Sequence, residues 1–97
     1  MEDSGSTERG PLDVHELIAS WIQLSAAVAW SKLGLQPDLG NGQIGKDLKQ
    51  AKTAIDLTTH LSTFIEPTLD EEDKRQIHNL IRDLRMNYVQ QSQGGEQ

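Results

Sequence analysis

The chain has 97 residues, no cysteine and a formal net charge of −6 at pH 7. This length allows one small hydrophobic core, and the absence of cysteine excludes a disulfide or a thiolate metal site, so self-association is the remaining way to bury more surface. The acidic balance disfavours sequence-independent binding to nucleic acid or to anionic lipid, because both repel an acidic body.

The first twelve residues have the composition of a tail. They mix Ser, Gly, Thr and charged residues without apolar periodicity, and they lack the basic and apolar regions of a signal peptide. No stretch approaches the roughly 18 uninterrupted apolar residues of a membrane span. We therefore expect a disordered tail over residues 1–12, a single helical domain over 13–91, a second disordered tail over 92–97 and a cytoplasmic location without membrane insertion.

The first predicted helix spans residues 13–34 and is the most apolar part of the chain. Asp13 is a typical N-cap residue, and Glu16 three positions later completes a capping box. Gly34 supplies the left-handed residue at which a helix ends, and Pro37 prevents its continuation. At 100° per residue the apolar side chains of this helix cover an arc of about 200°, twice that of an ordinary surface helix.

Two amphipathic helices follow a glycine-rich turn. The second helix is predicted over 47–65, with Asp47 as its N-cap, and it ends before Pro67. The third is predicted over 70–91 and begins at Asp70, in an acidic run that suits the positive end of the helix dipole. We expect an all-α, three-helix, up-down-up bundle in which helix one is central.

The surplus apolar surface of helix one indicates self-association. Trp21 and Trp30 lie nine positions apart and therefore project to opposite sides, so that two narrow neighbouring helices cannot bury both indoles. Small residues beside them favour the close approach of a second copy. The predicted interface consists of Trp21, Ile22, Ala26, Ala29, Trp30 and Leu33. We expect a homodimer, with an unidentified protein as the alternative partner.

The basic residues of helix three all project to one side, within an arc of about 100°. This candidate docking face comprises Lys74, Arg75, His78, Arg82 and Arg85. A solvated charged face is the commoner explanation of such a pattern, and the functional alternatives are an acidic protein partner or an RNA backbone. The negative net charge and the scarcity of aromatic residues favour protein over nucleic acid.

No group of residues favours catalysis, a metal site or a bound cofactor. Asp56 and His60 are one turn apart on helix two, but Lys52 offers the Asp56 carboxylate a simpler ion pair than a metal would. The serines within the predicted helices do not lie on a nucleophile elbow, and no phosphate-binding loop is present. We therefore expect no catalytic residue, no metal ligand, no cofactor and no enzymatic activity.

Several short motifs, in their order and spacing, resemble a known family. They are Leu33-Gly34-Leu35-Gln36-Pro37-Asp38, Gly40-Asn41-Gly42, Asp47-Leu48, Ala51-Lys52, Ile55-Asp56, Leu69-Asp70-Glu71-Glu72 and Leu84-Arg85-Met86-Asn87-Tyr88-Val89. Over residues 14–89 the chain resembles the small bacterial proteins grouped as domain of unknown function 1844. The resemblance implies bacterial origin and an all-helical fold, and it brings no established activity and no catalytic residues.

Two functional hypotheses from different classes follow. The first is a non-enzymatic interaction protein, a small homo-oligomer or an adaptor that docks through the apolar surface of helix one. The alternative is an RNA- or ribosome-associated accessory factor that uses the basic face of helix three.

Overall fold

The computed structural model describes residues 10–95, which form three α-helices and one short 3-10 helix. The α-helices are α1 (Val14–Lys32), α2 (Leu48–Ile65) and α3 (Glu71–Gly95), and the 3-10 helix Glu66–Thr68 lies between α2 and α3. The described residues contain no β-strand. The all-α, three-helix fold expected from the sequence is therefore confirmed. None of the helices in this part of the chain is long and apolar enough to cross a membrane.

Aspartate caps begin all three helices. The Asp13 carboxylate accepts hydrogen bonds from two backbone N–H groups of the first turn of α1. Asp47 accepts one from the Gln50 N–H at 3.1 Å, and Asp70 accepts one from the Asp73 N–H at 2.8 Å. Each carboxylate satisfies a backbone donor that has no partner within the helix, so the helix starts follow from local residue chemistry.

A glycine ends α1. Gly34 has a φ of +84°, its N–H donates to the Ser31 carbonyl, and the Leu35 N–H donates to the Trp30 carbonyl. These two bonds form a Schellman motif, which satisfies the last free carbonyls of the helix. Because a side chain at that φ is strained, glycine is the residue best suited to this position.

The last helix extends farther than expected. The predicted end at residue 91 is too early, because α3 continues to Gly95. The segment predicted as a C-terminal tail is thus helical up to that residue, since no proline interrupts it, although Gly94 and Gly95 have low helix propensity. Residues 1–9, which make up most of the predicted N-terminal tail, and residues 96–97 lie outside the described residues.

The central helix is α2, and the expectation that helix one is central is not met. α2 packs extensively against α1 and also against α3, whereas the contacts between α1 and α3 are few. Small side chains explain the closeness of α1 and α2, because Ala26 and Ala29 of α1 join Ala51 and Ala54 of α2 in one buried cluster. Helices with small residues at their contact approach closely.

Neighbouring helices run antiparallel. The Asp47 N–H, just before α2, donates to the carbonyl of Lys32 at the end of α1, at 2.8 Å. Farther along the same pair, Ser25 Oγ lies 2.7 Å from Thr58 Oγ1. Between α2 and α3, the Arg85 guanidinium donates to the Thr59 hydroxyl at 2.9 Å. These contacts determine which side chains can share a groove.

The core is small. Nine apolar side chains are buried among the described residues, and only five of them are larger than alanine. These five are Ile22, Leu33, Ile55, Ile65 and Leu84. In contrast, eleven large apolar side chains in the same part of the chain are exposed. A domain that exposes more large apolar side chains than it buries has surface suited to a partner.

Candidate functional site

An apolar groove lies between α1 and α2. It has a volume of about 400 Å³, and its exposed surface is apolar throughout. The residues that line this α1–α2 groove are Trp21, Leu24, Ser25, Val28, Ala54, Leu57 and Leu61. The one hydroxyl among them, on Ser25, is bonded to Thr58 inside the protein. Without a polar group to orient a small polar ligand, the groove is suited to apolar contact.

The lining residues form one stripe on each helix. Trp21, Leu24 and Val28 of α1 are spaced by three or four residues, so they share a face of that helix. Trp21 is 48% exposed and Leu24 56% exposed, and Leu57 of α2 is 48% exposed. Phe64 is one turn beyond the α2 stripe and is half-exposed too. The stripes together make a continuous apolar face larger than the groove itself.

The fold separates the residues of the predicted helix-one interface. Ile22, Ala26, Ala29 and Leu33 are buried in the core of the chain itself. Trp30 is half-buried and packs against that core, and only Trp21 lines the α1–α2 groove. The small residues assigned to the approach of a second copy serve the contact between α1 and α2.

Sequence reasoning missed the half of the groove that comes from α2. In the sequence, Leu57 and Leu61 lie on the apolar side of the amphipathic helix two, and nothing local distinguishes an exposed apolar residue there from a buried one. The signal in the sequence is the breadth of the apolar arc on helix one, which is wider than one neighbouring helix can cover.

A second and larger groove lies between α2 and α3. It has a volume of about 570 Å³ and mainly apolar exposed surface. The residues that line this α2–α3 groove are Thr59, Ser62, Thr63, Glu66, His78, Ile81, Arg82, Arg85, Met86 and Val89. A smaller depression lined by Lys52, Ile55, Arg85, Tyr88 and Val89 continues it. The structure thus brings His78, Arg82 and Arg85 of the predicted basic face together, while Lys74 and Arg75 lie outside both linings.

Each basic residue of the predicted docking face has an acidic neighbour. Lys74 and Arg75 pair with glutamates one turn earlier on α3, and His78 pairs with Glu66. Arg82 Nε lies 3.8 Å from the carboxylate of the adjacent aspartate. Arg85 lies 3.6 Å from Asp56 of α2. These pairs lower the positive potential that the arrangement of basic residues alone suggests.

Asp56 is held by two cations. Lys52 Nζ donates to its carboxylate at 2.8 Å, which is the ion pair expected from the sequence. This hydrogen bond, assisted by the charge of Arg85, lowers the pKa of Asp56 below its ordinary value of 3.8. His60 contacts the ring of Phe64 edge-on, with centroids 5.1 Å apart. Among residues 10–95, no three His, Asp or Glu side chains converge as a metal site requires.

The loop between α1 and α2 is fixed by its own polar contacts. The Asp38 carboxylate accepts from Lys32 Nζ at 3.0 Å and from the Gly40 N–H at 2.7 Å, and both bonds lower the pKa of Asp38. The Asp38 N–H donates to the Gln43 carbonyl, and Gly42 turns the chain with a φ of +74°. The loop from Gly34 through Pro37 to Asp47 therefore has a structural role.

The described helices fall within a segment already grouped as a family. A family model described as a domain of unknown function, DUF1844, matches residues 15–90. This segment holds most of α1, all of α2 and most of α3. A search of curated proteins and a search of solved structures give no match.

Proposed function

The chain belongs to the family of domain of unknown function 1844, and we propose that it is a non-enzymatic interaction protein that associates with a second copy through the α1–α2 groove. The main support for this proposal is the apolar character of the α1–α2 groove. Trp21, Leu24 and Leu57 leave about half of each side chain in water, although transfer of apolar surface out of water is favourable by about 25 cal/mol per Å².

A second copy suits this face in size and in chemistry. The half-exposed side chains Trp21, Leu24, Leu57 and Phe64 provide apolar surface on each copy, and a specific interface needs roughly 1,000 Å² in total from the two copies. The lining residues carry no charge, so the net charge of −6 produces no close repulsion there. Two antiparallel α1–α2 pairs placed face to face form a four-helix bundle around one enlarged core.

The alternative role as an RNA- or ribosome-associated factor has less support. It depends on the basic face of α3, where every cation has an acidic neighbour. Counterion release from a phosphate backbone requires several cations that are free to contact it. An adaptor that binds a different protein through the α1–α2 groove uses the same surface as the dimer. The oligomeric state of the purified chain distinguishes these two hypotheses.

The oligomeric state tests the proposal directly. We expect light scattering after size exclusion to give a dimer for the unmodified chain and a monomer for Leu24→Glu and Leu57→Glu, since each variant places a carboxylate in the dry interface. Met86→Glu is the matched control. Its side chain is 53% exposed, similar to Leu24, but it lines the α2–α3 groove, so this variant should stay dimeric.

Two results would contradict the proposal. One is a monomer for the unmodified chain at millimolar concentration, and the other is dissociation by Met86→Glu but not by Leu24→Glu. Circular dichroism of each variant confirms that the three helices are retained.

A further inference from the structure

The turn between α1 and α2 contains the one Asn-Gly pair of the chain, Asn41-Gly42. Asparagine is a chemically labile residue, because the backbone nitrogen of the next residue can attack its side-chain carbonyl carbon. Glycine in the next position has no side chain to hinder that approach. Both residues are exposed, so the water that completes the reaction reaches them. The turn therefore holds a candidate site of covalent modification.

The backbone of the turn requires glycine at position 42. Gly42 has a φ of +74°, in the left-handed region where a side chain is strained. A Cβ added to Gly42 would meet no atom within 4 Å, so backbone conformation, and not lack of space, selects glycine here. The turn that joins α1 to α2 thus brings the reactive pair with it.

Hydrogen bonds engage both reacting groups in the folded chain. The Gly42 N–H donates to the Asp38 carbonyl at 2.8 Å, and Asn41 Oδ1 accepts from the Gln43 N–H at 2.9 Å. The Gly42 nitrogen must lose its proton to attack, and the bond to Asp38 holds that proton. The bond from Gln43 holds the Asn41 side-chain carbonyl in one orientation. The reaction therefore requires local opening of the turn.

We propose that Asn41 is a deamidation site that the folded turn protects, and that its conversion to isoaspartate opens the loop. In the first step, the Gly42 nitrogen forms a bond to Asn41 Cγ and the bond from Cγ to Nδ2 breaks. Nδ2 leaves as ammonia and takes with it the proton from the Gly42 nitrogen. One water molecule then adds to either carbonyl of the resulting succinimide, which gives aspartate or isoaspartate without any oxidant or reductant.

The two products affect the turn differently. Aspartate leaves the main chain unchanged and keeps an oxygen that accepts from the Gln43 N–H. Isoaspartate routes the main chain through Cβ and Cγ, which adds one carbon between positions 41 and 42. The longer chain no longer matches the two bonds that close the loop, from the Gly42 N–H to the Asp38 carbonyl and from the Asp38 N–H to the Gln43 carbonyl. Isoaspartate therefore releases the loop from its folded conformation.

Peptide mass spectrometry after incubation of the full chain at mildly alkaline pH tests the protection. We expect Asn41 to deamidate at least about tenfold more slowly in the folded chain than in the same chain held unfolded in urea, because the hydrogen bonds of the turn must open first. Asn79 and Asn87, each followed by a bulky residue, are internal references. Both should react more slowly than Asn41 in the unfolded chain.

Two aspartate variants separate the turn from overall stability. Asp38→Ala removes the carboxylate that bonds Lys32 Nζ and the Gly40 N–H, so it should speed the deamidation of Asn41 in the folded chain about fivefold or more. Asp70→Ala removes a carboxylate that caps α3 and should leave the rate within about twofold. Equal rates in the folded and unfolded chains, equal rates in the two variants, or faster reaction at Asn79 or Asn87 would overturn the protection.

Thermal unfolding of the separated products tests the opening of the loop. The isoaspartate form should have a Tm several degrees below that of the unmodified chain, whereas Asn41→Asp should stay within about two degrees at neutral pH. An isoaspartate form with an unchanged Tm, or an equal loss in Asn41→Asp, would overturn this part of the proposal. Neither experiment depends on association through the α1–α2 groove.

Discussion

Thr58 of α2 and Ser25 of α1 form a buried hydrogen bond between their side chains. Within residues 10–95 it is the one side-chain hydrogen bond that joins α1 to α2. The Thr58 hydroxyl donates to the Ala54 carbonyl at 2.8 Å, and Ser25 Oγ lies within hydrogen-bond distance of both Thr58 Oγ1, at 2.7 Å, and the Ile22 carbonyl, at 3.2 Å. Thr58 is fully buried. Such a pair is satisfied in a single alignment of the two helices, so it specifies their register while the apolar residues provide most of the packing energy.

This pair leads to a prediction for a double-mutant cycle. Thr58→Val keeps the side-chain shape and removes the shorter of the two contacts of the buried Ser25 hydroxyl, which keeps the Ile22 carbonyl as an acceptor, so we expect it to lower the free energy of unfolding by about 1 kcal/mol. Adding Ser25→Ala to Thr58→Val should cost less than Ser25→Ala costs alone, because the interhelical hydrogen bond is then already absent.

Urea unfolding measures the four free energies of this cycle. Thr53→Val is the control, since the exposed Thr53 hydroxyl bonds only to its own helix, and its effect should stay within about 0.5 kcal/mol. Strictly additive effects of Thr58→Val and Ser25→Ala would show that the two hydroxyls do not act as a pair.

At the scale of elements, the loop between α1 and α2 determines how the two helices are joined. Gly34 ends α1, and the Asp38 carboxylate accepts a hydrogen bond from the Lys32 side chain at the end of that helix. The Asp47 N–H donates to the Lys32 carbonyl. The loop thus closes on the end of α1 before α2 begins. Its polar contacts position α2 for close packing along α1, which in turn creates the apolar face on the free edge of both helices.

The Asp38 contact predicts a dependence of stability on pH. The hydrogen bond from Lys32 lowers the pKa of Asp38 in the folded state. The Asp38 carboxylate therefore stabilises the folded state at pH values above its ordinary pKa of 3.8, and this stabilisation is lost as the pH falls through the lower pKa of the folded state. We expect Asp38→Asn to have a lower Tm than the unmodified chain at pH 7. The difference should shrink toward zero as the pH falls well below 3.8.

Thermal unfolding followed by circular dichroism over this pH range provides the test. Lys32→Met removes the partner and should reduce the same pH dependence. A Tm difference for Asp38→Asn that is independent of pH would show that the charge of Asp38 does not stabilise the loop.

At the scale of the whole molecule, the balance of buried and exposed apolar residues bears on both folding stability and association. Four of the nine buried apolar residues are alanines, each of which contributes little transfer energy, and more of the large apolar residues are exposed than are fully buried. The proposed interface between two copies would convert the α1–α2 face from exposed surface into core. On this view, folding and association are linked.

Linkage predicts a stability that depends on concentration. If the dimer is the stable form, Tm should rise by several degrees when the protein concentration is raised about a hundredfold, because mass action favours the associated state. Differential scanning calorimetry across that range measures the shift. Leu24→Glu, the variant expected to be monomeric, should show no such dependence, and a concentration-independent Tm for the unmodified chain would contradict linked folding and association.

Local signals in the sequence were sufficient for the helices themselves. Asp13, Asp47 and Asp70 lie at the helix starts where their side chains predict them, and Gly34 ends α1, because a cap involves only a few consecutive residues. The motifs that indicated the family are equally local, and the match over residues 15–90 confirms that family. The number and order of helices therefore needed no tertiary information.

Tertiary packing alone decided the surfaces. The apolar arc of helix one does not reveal that Ala26 and Ala29 face α2 while Trp21 faces outward, since burial depends on where residues far along the chain come to lie. For the same reason, the basic stripe of helix three gave no sign that Asp56 and Glu66, from outside that helix, neutralise part of it. Helix formation is governed by neighbours in sequence, and interaction surfaces are governed by neighbours in space.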